Sequence, residues 1–187
     1  RIYPADLRKW SRAVEGIREV AGWANDMGIT LLLQNHAPVI TPGHEDVLAM
    51  TREIDRPNVK ICLDVPLFYD RQSDEYVREA VKACKGFTAY THYGAWNFSE
   101  TKRGEVVQDP APSFGGKINY EAFVDELQKT GYDGYLVSEY CLPALKSHSI
   151  GGVEEVDRGT RLALKFMKDI LERSTARNVK TENVAVV

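Results

Sequence analysis

Cysteine is scarce in these 187 residues: Cys62, Cys84 and Cys141 are the only three, and no two form a C-x-x-C pair. An odd number without that spacing excludes a disulfide framework and a zinc knuckle, and fits a reducing, cytoplasmic setting. Long apolar runs are also missing. Ile29 to Leu33 is typical of the longest, far below the roughly 20 residues of a transmembrane helix. No basic segment followed by an apolar one opens the chain, so no secretory signal is read. Neither sign of charge dominates: 24 basic and 27 acidic side chains leave a net charge of -3. That balance excludes the strongly basic surface that nucleic acid demands. No G-x-G-x-x-G follows a strand, which removes the usual dinucleotide fingerprint.

What is present is alternation. Leu7, Trp10, Val14, Ile17, Val20 and Ala21 recur at threes and fours, which lays an apolar stripe along a helix begun by Pro4 and stopped by Gly28. Ile29 to Gln34 then reads as a strand buried on both faces. The unit repeats: a helix from about Glu45 to Ile54 precedes the strand Val59 to Asp64, and a helix from about Asp74 to Cys84 precedes Phe87 to His92. After a loop rich in Gly and Pro, Asn119 caps a helix through Lys129, and Gly131 to Gly134 turns into Tyr135 to Glu139. A last helix is expected from about Val153 to Arg173, with a single domain over residues 1–175 and a flexible tail over 176–187. Strands alternating with helices mean an α/β fold with parallel strands. Two layouts remain open at this point, a doubly wound sheet and a segment of a (βα)8 barrel.

Each predicted strand ends on a polar donor: Gln34, Asp64, His92 and Glu139. In parallel sheets the carboxyl ends of the strands form one face, where ligands and catalytic groups gather. Two carboxylates, an imidazole and an amide carbonyl there would suit a hard divalent ion, Mn2+ first, with Mg2+, Co2+ or Zn2+ as alternatives. Taken singly, each of these residues is more often a cap or a turn former; the coincidence at four strand ends carries the expectation. His36 stands two positions beyond Gln34 and would share its side of the strand. Tyr93 and Trp96, in the expected loop after His92, are candidates to wall a substrate. His44 and His148 read as ordinary loop residues, and Cys141 as a small buried group.

Leu32-Leu33-Gln34-Asn35-His36, Asn58-Val59 leading to Leu63-Asp64, Thr91-His92, and Gly131-Tyr132-Asp133-Gly134 leading to Glu139 resemble the last four βα units of the xylose isomerase-like TIM barrels. That superfamily includes sugar phosphate isomerases and epimerases and family 2 AP endonucleases. The resemblance implies the C-terminal half of a (βα)8 barrel, with metal ligands at Gln34, Asp64, His92 and Glu139. It also implies an isomerase or epimerase acting on a small carbohydrate, with Glu139 and His36 as catalytic groups and His36, Tyr93 and Trp96 against the substrate. Three departures matter. Gln34 stands where many members carry Glu, so one ligand has no charge and cannot take a proton. Asp64-Val65-Pro66-Leu67 lacks the His that often follows at the third position. After His92 come Tyr93, Gly94 and Ala95 rather than a phosphate clamp, which makes a neutral sugar a better expectation than a phosphorylated one.

Gln34 weakens any scheme in which two carboxylates pass a proton across a carbon centre. One-base chemistry stays open, and with a leaving group one carbon further on its outcome is elimination. A dehydratase or lyase acting on a keto-sugar or keto-cyclitol is therefore the alternative, followed by a barrel relative that binds without turnover. Four βα units alone would leave two open strand edges, so the expectation is a longer polypeptide supplying further strands, or else two copies pairing as a homo-oligomer.

Overall fold

The computed structural model describes residues 4–36, 39–94, 98–109, 117–139, 145–146, 149–150 and 152–184. In chain order they form α1 (Pro4–Asp26), β1 (Leu31–Gln34), α2 (His44–Ile54), β2 (Val59–Asp64), α3 (Asp74–Ala83) and β3 (Thr88–Gly94). A hairpin of β4 (Phe98–Glu100) and β5 (Val106–Gln108) follows, then α4 (Tyr120–Thr130) and β6 (Tyr135–Glu139). The two-residue strands β7 (Leu145–Lys146) and β8 (Ser149–Ile150) and the long helix α5 (Val153–Val184) complete the order.

Four strands make one all-parallel sheet in the order β1-β2-β3-β6. The helices between them cover its outer face, as crossover connections require. Local signals explain the element ends. The Ser73 hydroxyl accepts from the Tyr76 amide at 3.1 Å to start α3, and the Asn119 side chain accepts from the Ala122 amide at 3.0 Å to start α4. Gly131, at φ +77°, closes α4 in the left-handed conformation that favours glycine. At the end of α2, Arg18 of α1 donates to the carbonyls of Glu53 and Ile54, satisfying acceptors that the helix itself leaves open.

The main core lies between sheet and helices and includes Ile61, Leu63, Val77, Val81, Phe123, Leu127, Met167 and Ile170. A second cluster of Val14, Ala21, Met50, Ile54 and Val59 fastens α1 and α2 over the other end of the sheet. Each such side chain gains roughly 1.5–3 kcal/mol from leaving water. The outer strands contrast with this interior: Leu32 on β1 is 41% exposed and Tyr135 on β6 is 76% exposed. The open edges expected from four βα units are thus present.

Two expectations change. The last helix runs on to Val184 instead of ending near Arg173, through residues expected to be a flexible tail. Tertiary contacts hold at least its next turn: Ser174 is fully buried, and Arg173 and Arg177 pair with Glu121 and Asp125 of α4. His44 is not a loop residue but opens α2, only 3% exposed, with its ring edge-on to Tyr76 and tilted against Phe68. Among the described residues, no helix is long and apolar enough to cross a membrane.

Candidate metal centre

Register decides which side chains meet at the carboxyl-end face. Asp64 stands opposite His92, while Gln34 is level with Cys62, and Glu139 with Gly94. Gln34 therefore sits two residues behind Asp64, and Glu139 two residues ahead of His92. Strands that tilt around a barrel axis need such stagger to bring their ends to one height. The level pairing of Asp64 with His92 itself depends on an irregularity. Ile61 pairs with Thr88 but Cys62 with Tyr90, so Ala89 is an extra residue on β3. Without that bulge Asp64 would face Thr91, and the imidazole would lie on the other side of the sheet.

Asp64, His92 and Glu139 each offer a ligand atom, and these atoms all lie within 4.8 Å of one another. The His92 Nδ1 is 4.0 Å from Asp64 Oδ2 and 3.8 Å from Glu139 Oε2. Gln34 joins them: its amide nitrogen donates to Asp64 Oδ2 at 2.7 Å and lies 3.3 Å from His92 Nδ1. A half-turn of that amide would present its carbonyl oxygen at the same place. All four strand-end residues are thus brought together. Ligand atoms on opposite sides of an ion at about 2.1 Å stand roughly 4.2 Å apart, so little adjustment is needed.

The electrostatics mark a place short of positive charge. Asp64 is 0% exposed, yet its Oδ1 has no hydrogen-bond partner. Burial, and then the charge of Asp64, hold the Glu139 carboxyl above the usual carboxylate range, against the opposing pull of His92 and His36. The His92 imidazole is pushed up to about 10, first by the neighbouring Asp64 carboxylate and then by the Cys62 thiol, against the cost of burial. An orphaned buried carboxylate oxygen beside a second carboxylate and an imidazole fits a divalent cation with hard oxygen donors.

Asn35 supports this cluster, and sequence reasoning gave it no role. Fully buried, it donates to the Asp64 carbonyl at 2.8 Å and accepts from the Asp64 amide at 2.7 Å. It thereby clasps the backbone of the central ligand; its only signal was a position between Gln34 and His36. Arg71, 5% exposed in the loop after β2, was also passed over, and its guanidinium feels the charge of Asp64. His36 is exposed and within electrostatic range of Glu139.

Tyr93 is a correction. Because β3 continues to Gly94, alternation turns Tyr93 away from the site into the core, 2% exposed, where its hydroxyl donates to the Ala163 carbonyl at 3.2 Å. Trp96, Cys141 and His148 lie outside the described residues.

A parallel βα sheet with carboxylates and an imidazole gathered at its carboxyl-end face is the architecture of a partial TIM barrel with a candidate metal site. A family model described as a xylose isomerase-like TIM barrel matches residues 2–170, and the chain belongs to that family. A D-psicose 3-epimerase of Agrobacterium fabrum (strain C58 / ATCC 33970) is 27% identical over 171 residues, covering 87% of this chain and 56% of that protein. The crystal structure of a D-psicose 3-epimerase in the presence of D-fructose superposes with a TM-score of 0.65 at 20% identity, over 87% of this chain and 56% of that one. A Bacillus anthracis protein described as a probable 3-DHS dehydratase shares the fold with a TM-score of 0.54 at 19% identity, over 81% of this chain and 54% of that one. The chain thus spans about half the length of the relatives it matches.

Proposed function

We propose that the intact protein is a divalent-metal-dependent isomerase or epimerase, removing a proton next to the carbonyl of a keto-sugar or related hydroxy-carbonyl compound. The observation that carries this is the convergence of Asp64, His92 and Glu139 within 4.8 Å. Relatives named D-psicose 3-epimerase support the substrate class. Asp64, His92, Glu139 and, through its carbonyl oxygen, Gln34 would hold the ion, with Mn2+ first and Mg2+, Co2+ or Zn2+ as alternatives. When bound, such an ion would offset charge developing on the carbonyl oxygen.

The chain's own groups supply the proton transfer. Glu139 is the base: its carboxylate stands at the end of an outer strand with its side chain 26% exposed, where a bound substrate can reach it. His36, exposed beside it, is the second candidate to hold or return a proton and to touch the substrate. Gln34 can do neither. Because of that amide, a metal-dependent dehydratase or lyase using one base is the second reading, and the fold likeness to a protein described as a probable dehydratase keeps it open. A relative that binds without turnover is the third.

Calorimetry with Mn2+ on the intact protein should find one divalent site, lost in Asp64→Ala and in Glu139→Ala; unchanged binding in both would defeat the metal reading. Incubating keto-sugars with the Mn2+-loaded protein in D2O separates the chemistries. Deuterium entering next to the carbonyl without loss of water is expected for an epimerase or isomerase. Release of water favours the lyase, and no exchange on any compound favours the binding relative.

A further inference from the structure

We infer that Tyr120 is a positioning residue for Glu139, acting through the backbone of Gly94; this rests on the reading of Glu139 as ligand and base given above. Glu139 closes β6, and among the described residues β6 pairs with one strand alone, β3. The residue opposite Glu139 on that strand is Gly94. Asp64 has a strand on each side and the clasp of Asn35, whereas the backbone of Glu139 leans on Gly94. The approach is close. A methyl group added at Gly94 would stand 3.0 Å from the Glu139 carbonyl oxygen, and Gly94 has φ +99°, a conformation that other residues rarely adopt. Gly94 in turn ends its strand with an amide that donates to the Tyr120 hydroxyl at 2.9 Å, in the buried interior.

Tyr120 is a firm anchor for that strand end. It is 1% exposed at the first position of α4, directly after the Asn119 cap, and its ring stands edge-on to Tyr93 and to Phe166 of α5. Without the hydroxyl the Gly94 amide would be buried with no acceptor, a state that a chain avoids by shifting. A shift of Gly94 carries Glu139 with it. Groups that orient a metal ligand without touching the ion typically carry about tenfold to a hundredfold of metal affinity.

Tyr120→Phe deletes the hydroxyl and keeps the ring. Tyr93→Phe is its control: it deletes another buried hydroxyl from the same core, one that donates to the Ala163 carbonyl of α5 and leads away from the site. In calorimetry on the intact protein, Mn2+ affinity should fall about tenfold in Tyr120→Phe and by less than about twofold in Tyr93→Phe. In a Glu139→Gln background the uncharged amide holds the ion weakly, so its placement counts for little, and adding Tyr120→Phe should cost less than about twofold more. A tenfold loss that persists in that background would mean general loosening of the site and overturn the inference. Unchanged affinity in Tyr120→Phe, or an equal loss in Tyr93→Phe, would overturn it as well, and each leaves the metal reading standing. A second measurement needs no variant: the Gly94 amide of the unmodified protein should exchange its hydrogen for deuterium as slowly as the amides paired within β3, and rapid exchange would also overturn the inference. Failure of the unmodified protein to take up Mn2+ overturns both.

Discussion

The inner strands β2 and β3 and the outer strands β1 and β6 each contribute two residues to the ligand cluster, but they hold them differently. Asp64 is 0% exposed, on a strand paired on both sides, and its backbone is clasped from two directions by Asn35. Its partner across the sheet, His92, sits on the other doubly paired strand, with its side chain 20% exposed. Gln34 and Glu139 are the last residues of strands with a single neighbour, and the Glu139 side chain is 26% exposed. The difference separates two jobs. On the proposed function, the buried inner pair would set where an ion sits, and the less enclosed outer pair would set the charge of the site and transfer the proton.

The largest expected effect follows from that division. Asp64→Asn and Glu139→Gln each remove one negative charge with almost no change of shape, so their comparison isolates how rigidly each carboxylate is held. Calorimetry should show Mn2+ affinity falling by more than about a hundredfold in Asp64→Asn and by clearly less in Glu139→Gln. A rigid ligand cannot be replaced by a neighbour, while a mobile one can be replaced by water. Equal losses would erase the distinction between inner and outer strands.

Much of this was legible in the chain, and the remainder was hidden for identifiable reasons. Alternating apolar strands and striped helices revealed the parallel sheet, because burial on both faces leaves a continuous apolar signature. Polar strand ends revealed the four side chains that the sheet brings together. The bulge at Ala89 left no trace, since alanine has no special backbone preference, and only pairing with β2 exposes the extra residue. Tyr93 was misassigned because β3 was expected to stop at His92; two further strand residues turn that ring into the core. The clasp by Asn35 joins residues 29 apart in sequence, a separation that local pattern cannot span. The extension of α5 rests on ion pairs with α4 that likewise appear only in three dimensions.

A middle-sized effect is expected at that clasp. Asn35→Ala leaves the Asp64 amide and carbonyl buried without partners, at a cost of roughly 2–4 kcal/mol for the two groups together. Urea unfolding of the metal-free protein should register the loss. Mn2+ affinity should fall as well, by about tenfold to a hundredfold, as for other groups that orient a ligand without touching the ion. Thr41→Ala serves as the outer-strand control: its hydroxyl donates to the Gln34 carbonyl at 3.1 Å, and its removal should cost no more than about 1 kcal/mol. If the two substitutions cost the same, the inner strand is no better secured than the outer one.

The smallest effect compares two histidines. His92 is pushed up by a carboxylate partner, whereas His44 is lowered, chiefly by burial, against the opposing charges of Glu45, Glu79 and Asp46. His44 therefore stays neutral in the fold at a pH where the unfolded chain, with an ordinary histidine near 6.5, already binds a proton. Below that value the unfolded state takes up the proton first, so stability falls with pH until the folded pKa is reached, by at most about 1.4 kcal/mol per unit of difference. In the metal-free protein His92 acts with opposite sign between its unfolded value and about 10, where rising pH removes stability, and pH 7 lies inside that window. The change in urea midpoint from pH 7 to pH 5.5 is therefore compared with that of His44→Gln, in which the His92 contribution is common. His44→Gln, which cannot take up the proton, should lose less stability on acidification than the unmodified protein. An identical acid slope in both would mean that His44 is solvated on the timescale of titration, and that the aromatic contacts with Phe68 and Tyr76 do not keep water from its ring.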